Sequence, residues 1–80
     1  MKERVKLIWD FRGPNATHIA RHHVIHLKEF VEIESIENTL CDVEEISDAH
    51  HIAFLVVEKH LMNSLRERLK PNRGQLYIEK

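Results

Sequence analysis

Histidines stand at positions 18, 22 and 26, each four residues after the last, with His23 beside them and seven histidines in the 80-residue chain. In a helix, that spacing puts side chains on one face, one turn apart. Imidazole is the commonest protein ligand for transition metals and titrates near neutrality. A metal site for Zn²⁺ or another transition ion would use His18 and His22 from the helix and His50 and His51 from elsewhere, completed by Asp10 or Glu45. No recognised zinc motif is present, and Cys41 has no second thiol to join it. A small anionic ligand is the second chemistry. Arg12, Asn15 and Thr17, with Asp10 nearby, surround the expected start of the helix, where free N–H groups favour negative charge. Acid–base catalysis is the third, with Asp10 against His18, His22 or His51. No nucleophile motif accompanies that pair, so the chain reads as a binding or regulatory module rather than an enzyme.

The elements that must position these groups are legible in the patterning. Val5-Lys6-Leu7-Ile8-Trp9-Asp10-Phe11 alternates with period two and is rich in strand formers. Gly13 and Pro14 end it, and proline suits the first turn of a following helix. From Pro14 to Ser35 the period is helical, with Ala16, Ile19, Ala20, His23, Leu27, Phe30 and Val31 on one stripe. On that stripe His23 is expected to be a core or boundary histidine with one hydrogen bond. Acidic residues late in this helix oppose its dipole. Thr39 to Ile46 is a polar second strand, and Ser47-Asp48-Ala49 a turn. Ile52 to Val57 is apolar without alternation, as expected for a strand buried on both faces. His60 to Lys70 forms a second helix with Leu61, Leu65 and Leu69 inward. Pro71-Asn72-Arg73-Gly74 stops it, and Leu76-Tyr77-Ile78 is a last short strand.

The order β-α-β-β-α-β resembles the ferredoxin-like sandwich over the whole chain, residues 1–80 forming one α+β domain. That architecture implies a four-stranded antiparallel sheet in order 4132 with both helices on one face. Strands one and three would be central, and those are the apolar ones here. One end of such a molecule gathers Asp10, Arg12, Asn15, Thr17, His18, His22, Glu45, Asp48, His50, His51 and Arg73, with His26 a turn or two away. The superfold hosts many functions, so it names none. Asp10-Phe11-Arg12-Gly13 resembles the Asp-x-x-Gly turn of ACT-type regulatory domains, over those four residues only. Heavy-metal-associated domains of the same fold carry paired cysteines where this chain has Arg12-Gly13-Pro14-Asn15. RNA-recognition domains place aromatic and basic residues on strand three; here that strand offers Phe54 and no lysine or arginine.

Charge is segregated. Residues 29–48 hold eight acidic and no basic residues, while the net charge of the whole chain is −1. The block argues against a nucleic-acid partner. It reads as a solvated face or as a surface for the basic segments of another copy. With a single cysteine, no apolar targeting segment and no membrane-length apolar run, the chain is expected to be cytoplasmic. The sheet face away from the helices would expose Ile8 and either Ala53/Leu55/Val57 or Ile52/Phe54/Val56. Such a patch predicts a homodimer through that face.

Overall fold

In the computed structural model, which describes residues 3–77, the elements are β1 (Arg4–Arg12), α1 (Ala16–Ile33), β2 (Leu40–Ser47), β3 (His50–Glu58), a single 3₁₀ turn (Lys59–Leu61), α2 (Met62–Leu69) and β4 (Arg73–Tyr77). The α+β expectation holds, with one antiparallel sheet in the order β2-β3-β1-β4. Ile78 lies outside the described residues.

Alternation along β1 sends Val5, Leu7 and Trp9 to the helix side, where they join Ala53, Leu55 and Val57 of β3 in the core. Val24 and Leu27 of α1 and Leu65 of α2 close that core, so both helices pack on the same sheet face. The buried positions of α1 are Ala16, Ala20, Val24 and Leu27. This corrects the expected stripe: Val24 belongs to it and Ile19 is exposed. Ala16 and Ala20 are almost without accessible surface, and their small side chains let the first turns of the helix lie close on the sheet. Pro14 sits in the preceding turn, and Asn15 is the N-cap residue.

The end of α1 is a Schellman motif. Ser35 takes the left-handed conformation (φ 54°) and donates to the Glu32 carbonyl, while Ile36 N–H donates to the Val31 carbonyl at 3.0 Å. Ile36 then packs on the core, the apolar contact that accompanies this cap. Serine fills the position usually given to glycine, which hides the helix end from a sequence reading.

The second sheet face differs from expectation. Ile8 and Ile52 are each 2 % exposed and Val56 is 0 % exposed, so these residues do not meet water. Long side chains from neighbouring rows screen them. The Lys6 ammonium lies 4.4 Å from the Phe54 ring centroid and 3.3 Å from Glu44 Oε1. Arg73 reaches across to Asp10, and Arg4 lies over Tyr77. Of the residues that motivated a sheet-face homodimer, Ile8, Ile52 and Val56 are therefore covered within one chain, while Phe54 is half-buried. Two residues of the acidic block are engaged internally, Glu34 on Arg68 at 2.8 Å and Glu44 on Lys6 at 3.3 Å. Light scattering at high micromolar concentration is expected to give the monomer mass; a dimer mass would show that the screened face still associates.

Candidate functional site

The groups expected at one end divide between the two sheet faces. β3 begins at His50, two residues earlier than the apolar run suggests, so His50 and His51 lie within a strand and point to opposite sides. His50 Nε2 lies 2.8 Å from Asp10 Oδ1 on the face away from the helices. Arg73 donates to both oxygens of the same carboxylate, at 3.1 Å each. Asp10 N–H donates to Asn72 Oδ1 at 2.8 Å, and Asn72 N–H donates to the Ile8 carbonyl at 2.9 Å. The group ties β1 to β3 and to the start of β4.

The Arg73 guanidinium holds the Asp10 carboxyl below its ordinary value of 3.8; burial opposes this, and His50 adds to the lowering. A carboxylate fixed as an ion by a bidentate arginine is a weak proton acceptor. Its native value lies below its unfolded one, so its contribution to stability is complete above about pH 4 and is lost as pH falls through the lowered value. Asp10→Asn is expected to remove this dependence. In urea titrations the stability gap between wild type and variant should narrow as pH falls from about 5 to about 2. A constant gap would contradict the assignment.

On the helix side His51 is 6 % exposed. Its Nε2 lies 2.8 Å from Thr17 Oγ1 and 3.7 Å from Glu45 Oε1. Thr17 is thus turned to β3 and away from Asp10. Arg12 and Asn15 are exposed, and Asn15 makes no side-chain capping bond. Asp10, Arg12, Asn15 and Thr17 are therefore spread over both sides of the sheet. His18 and His22 are exposed on α1, and His22 pairs with His26, whose Nε2 stands 3.0 Å from its own. The expected grouping of His18, His22, His50 and His51 is not assembled, because strand alternation separates the last two and the helix face carries the first two outward. Among the described residues no three His, Cys, Asp or Glu side chains are placed to hold one ion.

His23 corrects a further expectation. Its ring packs against Trp9 at 4.9 Å and Phe11 at 5.5 Å between centroids, but its buried Nε2 has no hydrogen-bond partner among the described residues. Burial, then repulsion from His26 and His22, lowers its pKa from the ordinary 6.5. Cys41 is half-buried against α1, and burial pushes its thiol up to about 11. At pH 8 it is expected to alkylate with iodoacetamide about a hundredfold more slowly than free cysteine, because thiolate is the reactive form. A free-cysteine rate in the folded protein would show that the site opens.

Sequence patterning missed a groove of about 450 Å³ between α1 and the edge strand β2. Arg21 and Lys28 stand on its helix wall, two turns apart, and Glu45 on its strand wall; Asp42 borders it too, but its carboxylate accepts from the Val43 N–H and its register partner is Phe54 on the other sheet face. Val24, Ile25 and Val43 line the space between, and Thr17 with His51 closes one end. Among the described residues no carboxylate lies within 4 Å of Arg21 or Lys28. Each of the four charges taken alone reads as a solvated surface residue.

Compared with known proteins, the chain matches no family model, no curated protein and no solved structure. Among the described residues no helix is long and apolar enough to cross a membrane.

Proposed function

We propose that this chain is a ferredoxin-like binding module that holds a small zwitterionic molecule, of the amino-acid class, in the α1–β2 groove. The observation that carries the reading is the facing of Arg21 and Lys28, which have no carboxylate partner among the described residues, by Glu45 across an apolar floor. A simple anion satisfies the helix wall but is repelled by the strand wall. A zwitterion meets both, with its carboxylate on Arg21 and its ammonium on Glu45. His51 and Thr17 supply a polar end that fixes orientation, and the volume falls in the usual range for small-ligand sites, ~300–1,000 Å³. The Asp10–His50–Arg73 group is read as a structural clasp, since its carboxylate is saturated by arginine.

Thermal unfolding in the presence of neutral α-amino acids, dicarboxylates and inorganic phosphate tests the reading. A probe at a hundred times its Kd adds about 2.7 kcal/mol, enough to raise Tm by roughly 10–20 °C in a chain this small. Zwitterions are expected to raise Tm while phosphate and dicarboxylates leave it unchanged. An equal response to phosphate would mean a plain anion site. No response to any probe would remove the reading.

A further inference from the structure

The exposed face of α1 carries an arrangement separate from the groove. We infer that His22 and His26 form a two-imidazole chelate for a divalent transition metal, with Glu29 as the carboxylate that orients His26. The two Nε2 atoms stand 3.0 Å apart, with the rings nearly perpendicular at 79° and their centroids 4.6 Å apart. Nitrogens bound at ordinary metal distances to a shared ion stand about 2.9 Å apart at a right angle and about 3.3 Å apart at the tetrahedral angle. The observed spacing fits adjacent corners of a square or octahedral ion, the geometry of Cu²⁺ and Ni²⁺, which also lead the affinity order for nitrogen ligands.

Glu29 Oε1 lies 3.3 Å from His26 Nδ1. A proton held on Nδ1 by this carboxylate leaves Nε2 with its lone pair outward, which is the tautomer that binds metal. In that tautomer the N–H between the two rings comes from His22; on binding, that proton moves to its own Nδ1 through solvent, and both Nε2 lone pairs meet the ion. The carboxylate and both rings are exposed, so small side-chain rotations suffice and solvent fills the remaining coordination positions.

The neighbouring histidines are placed to sharpen the assignment. His23 is excluded as a third donor, since its ring is held inward against Trp9 and Phe11. His18 precedes His22 by one turn but makes no ring contact with it, whereas His22 and His26 are already joined. The pair at 22 and 26 is therefore preferred over the pair at 18 and 22. This site is independent of Arg21, Lys28 and the groove ligand, and stands or falls apart from them.

Calorimetric titration of the untagged full chain with Ni²⁺ is the test, paired with Cu²⁺ electron paramagnetic resonance. One ion per chain is expected, with two nitrogen couplings in the copper spectrum. His22→Ala and His26→Ala should each weaken Ni²⁺ binding at least about tenfold, Glu29→Gln about tenfold, and His18→Ala less than about twofold. All four positions are exposed, and unchanged circular dichroism of each variant confirms the fold; His22→Gln and His26→Gln repeat the test should an alanine variant unfold. Binding that survives the double His22/His26 substitution, that fails with His18→Ala, or that is absent in wild type overturns the inference.

Discussion

Arg21→Glu combined with Lys28→Glu is expected to weaken binding of any zwitterion that occupies the α1–β2 groove by at least about a hundredfold. Hydrogen bonds to charged groups contribute about 1.5–3 kcal/mol each, and the double change removes two donors while adding two repulsive carboxylates. Both side chains are on the exposed wall of α1, away from its buried stripe, so the fold should persist. The complementary change, Glu45→Gln, acts on the ammonium end and should weaken zwitterions while leaving dicarboxylates unimproved by more than about threefold. Isothermal calorimetry on the strongest binder from the thermal panel measures both. Affinity unchanged by the double substitution would place the ligand elsewhere.

Trp9→Ala is expected to cost about 3–5 kcal/mol, the largest stability loss of any single substitution considered. A domain of this length is stable by only roughly 4–12 kcal/mol, so the variant should be partly unfolded at 37 °C. Trp9 is 6 % exposed, packs against His23 with the rings tilted at 55°, and donates through Nε1 to the Leu69 carbonyl at 3.2 Å. That carbonyl belongs to the last turn of α2, where the helix leaves acceptors without internal donors. The indole thus joins the central strand to both helices. Trp9→Phe keeps most of the volume and loses the donor, and should cost about 1–2 kcal/mol. Urea denaturation followed by circular dichroism resolves the two. A loss under about 1.5 kcal/mol for alanine would show that the α2 contact carries little.

The apolar alternation of Val5 to Phe11 and the run from Ile52 to Val57 were enough to place the two central strands, because burial of those side chains dominates the fold. The element order and the polar edges followed from them. What patterning could not show was where polar chain joins a strand. Arg73 and Gly74 read as part of a helix stop, yet Gly74 pairs with Leu7 in β4, close enough that an added Cβ would sit 3.6 Å from the Leu7 side chain. His50 and His51 read as hairpin residues, and only the pairing of His50 with Arg12 puts them in β3 on opposite faces. The covering of Ile8, Ile52 and Val56 depends on the reach of Lys6 and Arg73, which is a matter of cross-strand register and not of local composition. The groove was hidden for the same reason. Its cations and the Glu45 carboxylate lie about twenty residues apart in the chain, and only the packing of α1 beside β2 sets them face to face.

The most direct test of the groove as the working site is an amide NMR titration of the folded chain with the strongest zwitterionic probe. A footprint of shifted amides confined to Thr17, Arg21, Lys28, Asp42, Glu45 and His51 is expected, lost in the Arg21→Glu, Lys28→Glu protein. A footprint centred on Asp10, His50 and Arg73, on the opposite side of the sheet, would contradict it.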